Sequence, residues 1–163
     1  MQILRKMTEP EYAAWMAALV PEYAADKVAV GRWPVEESVE LARKEYTELL
    51  PKGLETENNY FFTVLDQSGQ SVGSLWFGEG KRVGYVVAFV FDLVIQPKHR
   101  RQGHARRALL ALEIEAEKRG MTGVALHVFG HNAGGRSLYE TLGYAPTNIN
   151  LYKALPRAAA SDA

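Results

Sequence analysis

Hydrophobic positions recur along this chain in two rhythms, one helical and one extended. A short strand at residues 2–7 is followed by Thr8 as an N-cap, with Glu9, Pro10 and Glu11 in a first helical turn. Tyr12, Trp15, Met16 and Leu19 then share one helical stripe, and Pro21 either kinks this helix or ends it. A second helix is predicted from Pro34, with Val35, Val39, Ala42 and Tyr46 on its apolar stripe and Glu36, Glu37, Glu40 and Glu48 on its other face. After a polar loop at 49–59, strands are predicted at 60–66 and 71–77, joined by a turn containing Gly69. Residues 78–82 read as a second turn, which makes this part an antiparallel meander.

The rhythm then changes. Residues 88–95 are almost entirely apolar, with the single charge Asp92, and read as a strand buried on both faces. Pro97 stops its ladder because it has no N–H to donate. From about His104 a helical stripe follows, formed by Ala105, Ala108, Leu109, Leu112 and Ala116. Lys118 and Arg119 suit its negative dipole end, and Gly120 suits the residue just past it. A strand at 123–129 makes a strand–helix–strand series, which implies parallel pairing by a right-handed crossover. A short helix at 132–142, capped by Asn132 and ended by Gly143, precedes one or two closing strands at 144–152. One domain is expected over residues 1–157, with a disordered tail at 158–163.

Charge sharpens this picture locally rather than globally. Acids and bases balance at 19 each, which argues against a nucleic-acid binder. Residues 1–57 carry eleven acids and seven bases, whereas residues 96–119 carry seven bases and three acids. One region suits a cation and the other an anion. The chain has no cysteine, hence no disulfide, thiolate metal site or cysteine nucleophile. No His–carboxylate set has metal-ligand spacing, so no metal is expected. No leader pattern or membrane-length apolar run is visible, so a cytoplasmic protein is expected.

Within the basic region, the connection between strand and helix carries five Lys or Arg, two His and no acid across residues 98–107. A helix N-terminus presents unpaired N–H groups and a partial positive charge, and Gly103 permits a backbone geometry that a Cβ would block. Such a turn suits a phosphate or pyrophosphate; a solvated basic connection would have the same composition.

Arg100, Gly103 and Ala105 stand at the spacing of the Gln/Arg-x-x-Gly-x-Gly/Ala signature, and with Ile95, Pro97 and Arg101 in the fuller string the chain resembles the GNAT-type N-acetyltransferase superfamily. Asn132, Leu138, Tyr139, Gly143 and Tyr144 resemble that family's second hallmark, with Gly135 where Ala is usual. The resemblance implies an α+β GNAT fold: a mixed, twisted sheet of about six or seven strands with roughly four helices. It implies acetyl-CoA as donor, its pyrophosphate on Arg100, Arg101, Gln102, Gly103, His104, Ala105 and Arg106. It further implies that the pantetheine arm pairs with Leu93, Val94 and Ile95, that Asn132 contacts the donor, and that Tyr139 protonates the departing thiolate.

The base is less specified. Free alkylamines are mostly protonated at neutral pH, so a proton acceptor is needed. Asp92 either takes that proton or is a rim carboxylate that positions the substrate; Glu79, His127 and His131 are weaker candidates. The expected activity is direct transfer of acetyl to an amine in a ternary complex. The acceptor is open among small amines, aminoglycoside-like molecules, amino acids and protein amines; the acidic N-terminal helices favour a cationic small molecule. A non-catalytic acyl-CoA-binding module is the alternative. Dimers are frequent in the family, so a homodimer is compatible with this reading.

Overall fold

The computed structural model describes residues 1–156, which form two compact units: Met1–His127, and the segment from Val128 onward. The tail expected at 158–163 lies outside the described residues.

In the first unit, strand β1 (Leu4–Lys6) leads into helix α1 (Glu9–Ala29). A capping box starts α1: the Thr8 amide donates to Glu11 Oε2 at 2.9 Å. The helix runs through Pro21. That proline and Ala17, four residues earlier, are both exposed, so the carbonyl it leaves unpaired can be hydrated. Helix α2 (Val35–Leu49) packs on α1 through Ala42 and Tyr46. The outer half of its expected apolar stripe is not covered: Val35 and Val39 are exposed, and Ser38 is buried instead.

Strands β2 (Asn59–Leu65), β3 (Ser71–Arg82) and β4 (Tyr85–Ile95) form the predicted meander, and β1 pairs antiparallel with β2. The expected turn at 78–82 is strand. Gly78 and Gly80 are there for close packing, because a Cβ at these positions would meet Phe91 Cε2 at 2.9 Å and Val87 Cγ2 at 3.0 Å. Helix α3 (His104–Lys118) follows, and Gly120 has φ +73 just beyond it. Strand β5 (Val124–Leu126) then pairs parallel with β4, as the crossover predicts, through Ala88, Phe89 and Val90.

Among the described residues the sheet has five strands in the order β1-β2-β3-β4-β5, slightly fewer than the six or seven expected. Phe61 and Trp76 face α1 in an aromatic cluster with Trp15, while Tyr60 and Phe77 lie on the opposite face, where Arg119 covers the Tyr60 ring at 4.6 Å. This cluster and the buried α3 stripe of Ala108, Leu109 and Leu112 are the two sides of the core.

The second unit contains helix α4 (Ala133–Thr141). The Asn132 side-chain Oδ1 accepts from the Gly135 amide at 2.9 Å, and Gly143 has φ +89, so both predicted caps form. Residues 144–156 carry no strand. Pro146 cannot donate to a ladder, and Ile149 and Leu151 are exposed rather than turned into a core.

Candidate active site

Strand β4 does not behave as one uniform buried strand. Its first half has β3 on one side and β5 on the other. Its second half, beyond Val90, has β3 alone among the described residues, because β5 ends opposite Val90. The expectation of burial on both faces therefore fails at 91–94: Phe91 is 46% exposed and Val94 37%. Leu93, Val94 and Ile95 thus lie along an open strand edge, the geometry needed for an extended ligand to add as a strand.

A β-bulge sits at the point of change. Phe77 pairs with Val90 but Trp76 pairs with Asp92, so Phe91 is the extra residue. The bulge brings Asp92 into register with Trp76, on the α1 side of the sheet. There Asp92 accepts a hydrogen bond from the Trp15 indole at 2.8 Å. Burial pushes its carboxyl up from the ordinary range, and the charge of Glu22 acts in the same direction, whereas the Trp15 bond opposes both.

Asp92 lines a cleft of about 320 Å³ with Trp15, Glu11, Glu22, Gly73, Val94 and Gln96 among its walls. Of the two acidic N-terminal helices, only α1 contributes acids to this cleft, alongside Asp92 of β4. Those on α2 are exposed, and Glu40 is paired with Arg43 at 2.8 Å. Glu11 is committed to Arg5, at 2.6 Å, which with the Thr8 contacts holds its carboxyl down at about 2. Gly73 permits the closeness of β3 to β4 here: a Cβ would fall 2.1 Å from the Val94 carbonyl oxygen.

The basic turn follows β4 directly. Pro97–His99 forms a single 3-10 turn, and Arg100 Nε donates to the Ile95 carbonyl at 3.0 Å, tying the turn to the strand end. Arg101 and Gly103 both have positive φ, +63 and +78, and Gly103 is the N-cap of α3. The first helical bond runs from the Arg107 amide to the Gly103 carbonyl at 3.1 Å. The amides of His104 and Ala105 therefore have no acceptor within the helix. Arg101 and Gln102 are exposed around this point. His104 is buried, and its Nδ1 lies 2.9 Å from Arg107 Nη2; burial and that guanidinium hold the imidazole below its ordinary pKa.

The remaining candidates are placed as follows. Glu79 accepts from the Tyr60 hydroxyl at 3.1 Å, on the face away from Trp15. His127 is not in a strand, because β5 ends at Leu126, and His131 is exposed with its ring stacked on Phe129. In the second unit, Tyr139 is half-buried on α4 with its ring 5.7 Å from that of Tyr144. Burial raises the Tyr139 phenol, keeping it in the proton-bearing form at neutral pH. A Cβ at Gly135 would fall 2.7 Å from Asn132 Nδ2, so the departure from Ala makes room for the cap side chain. Trp15, Gly73 and Glu22 join the site without a functional signal in the sequence: Trp15 reads as core, and the other two carry no local signal at all.

The family model described as acetyltransferase (GNAT) family matches residues 14–144. The chain is 32% identical to the uncharacterized N-acetyltransferase YycN of Bacillus subtilis (strain 168) over 153 residues, 94% of this chain and 98% of that protein. It is also 32% identical to the uncharacterized N-acetyltransferase YdgE of the same organism over 152 residues, 93% and 97% of the two chains. The crystal structure of YycN matches the fold with a TM-score of 0.82 over 94% of this chain and 98% of that one. The chain belongs to the GNAT acetyltransferase family. It is an N-acetyltransferase with the GNAT fold.

Proposed function

We infer that this enzyme transfers acetyl from acetyl-CoA to a cationic small-molecule amine held in the cleft below Asp92. The observation that carries this reading is the continuity of β4: an open strand edge, a carboxylate just past the bulge and a glycine-capped helix stand within one run of residues. The residues fit the donor. Gly103, in the left-handed region, caps the helix with no side chain in front of the His104 and Ala105 amides, and the surrounding turn is basic. Arg100, Arg101, Gln102, Gly103, His104, Ala105 and Arg106 would hold the pyrophosphate. Leu93, Val94 and Ile95 would pair with the pantetheine arm, and Asn132 would add a contact from its amide nitrogen. A β4 backbone N–H would stabilise the charge that develops on the carbonyl oxygen.

The bound thioester supplies an activated acetyl group, so that a C–N bond forms as the C–S bond breaks. Asp92, raised by burial, takes one proton from the ammonium of the acceptor and passes it to water. Tyr139 gives a proton to the sulfur and is restored by the second proton that the nitrogen loses. One proton per turnover reaches solvent, and the products are amide and thiol. With no cysteine in the chain, direct transfer in a ternary complex is the simplest route. Glu22 and Asp92 give the cleft its negative lining, which favours cations.

The test is thiol release from acetyl-CoA across spermidine, kanamycin, lysine and a peptide with N-terminal alanine. Faster turnover with spermidine or kanamycin supports the acceptor class; turnover confined to the peptide overturns it.

A further inference from the structure

We propose that the Trp15 indole N–H is a positioning group for the reaction, holding one carboxylate oxygen of Asp92 so that the other is presented to the cleft. This rests on the reading of Asp92 as the proton acceptor.

The geometry is specific. Trp15 Nε1 donates to Asp92 Oδ2 at 2.8 Å, across 77 residues of sequence. Oδ1 has no hydrogen-bond partner among the described residues, and Asp92 lines the cleft. A carboxylate held at a single oxygen on a strand would swing about its side-chain torsions unless its donor were fixed. Here the donor is fixed. Trp15 is 9% exposed, and its ring packs at 5.5 Å from Tyr12, Phe61 and Trp76 alike. The bulge that brings Asp92 opposite Trp76 creates the contact, so the indole and the bulge act together to aim one oxygen.

A tryptophan in an aromatic cluster needs only its ring for packing. Its one polar atom is spent on the only acid of β4. The bond also selects the charged form of that acid, since an N–H donor stabilises a carboxylate. Among the described residues, the titratable groups that interact with Asp92 are Glu22 of α1 and the Tyr46 phenol of α2, with Glu11 of α1 on the same cleft; β3 presents the non-titratable Trp76 and Ser74. Glu22 disfavours ionisation of Asp92, and Glu11 is already paired with Arg5. The indole is therefore the group that keeps Asp92 available as a base beside a like charge.

The experiment is carbon NMR titration of the Asp92 carboxyl in the wild type and in Trp15→Phe, which keeps an aromatic ring and loses the N–H. The expected result is an Asp92 titration midpoint higher by about one pH unit or more in the variant. An unchanged midpoint in folded Trp15→Phe overturns the proposal. Should that variant not fold, the wild-type Trp15 indole proton gives the same answer. It should titrate with the Asp92 midpoint and lose that titration in Asp92→Asn; an indole proton that does not follow Asp92 overturns the proposal. The underlying reading is judged separately. Asp92→Asn should remove the acid limb of kcat/KM for the fastest amine of the panel. An intact limb sinks Asp92 as the base, whatever the NMR result.

Discussion

Replacing Gly103 by Asn and by Asp separates backbone strain from charge at the proposed pyrophosphate site. The residue sits at φ +78, where an ordinary side chain costs about 1–2 kcal/mol and Asn or Asp less. A Cβ there would lie 3.2 Å from Arg107 Nη1, a guanidinium end whose Nη2 is bonded to Gln102 and His104. Both variants should thus lose about 1 kcal/mol, or roughly 2–4 °C in Tm for a chain of this size. They are isosteric, so this loss cancels between them. The difference is one negative charge, about 6 Å from a bound phosphate, worth about 3 kcal/mol at an effective dielectric constant of about 20. Pairing with Arg107 and screening by salt reduce this to about 1.4 kcal/mol, or tenfold. Calorimetric titration with acetyl-CoA should therefore find the Asp variant at least about tenfold weaker than the Asn variant, with a ratio that shrinks as salt is added. Equal affinities in two equally stable variants would mean that no phosphate lies near this turn.

Tyr139→Phe should lower kcat by about a hundredfold while leaving acetyl-CoA affinity unchanged; an unaltered kcat would remove the general-acid role. Gly73→Ala must part β3 from β4 by about 1 Å beside Val94, because the new Cβ would start 2.1 Å from a carbonyl oxygen. It should destabilise the fold by about 1–3 kcal/mol and raise KM for acetyl-CoA, as thermal melts and steady-state kinetics would reveal. Glu11→Gln tests the capping box and its ion pair with Arg5. The folded-state pKa, about 2, lies below the ordinary 4.5, so the stabilisation is complete above about 4.5 and is lost as pH falls towards about 2. With side chains 37% and 31% exposed, screening leaves about 1 kcal/mol at neutral pH. Urea midpoints of variant and wild type should converge on acidification; a gap that persists at low pH would contradict the assignment.

Local chemistry was legible in the sequence and cross-chain geometry was not. Thr8 with Glu11, Asn132, Gly120 and Gly143 all terminate helices as their types suggest, because capping depends on a few neighbouring atoms. The basic turn after β4 was legible for the same reason, as was parallel pairing through a crossover. Gly78 and Gly80 misled, because a glycine that makes room for a neighbouring strand looks the same in sequence as a glycine in a turn. The closing strands expected at 144–152 do not form: Pro146 cannot donate to a ladder, and Ile149 and Leu151 are exposed. Both N-terminal helices are acidic in sequence, but which of their acids face the cleft depends on how α1 crosses β4. The bulge at Phe91 and the Trp15–Asp92 bond had no local signature, because each needs two distant segments in register.

The most direct test of the account is calorimetric titration of the wild-type protein with acetyl-CoA, with dephospho-CoA in parallel. Saturable micromolar binding of acetyl-CoA is expected, with weaker binding of dephospho-CoA if the basic turn also reads the 3′-phosphate. A folded protein that gives no heat with either ligand would contradict the central claim that β4 and the Gly103 turn form a donor site.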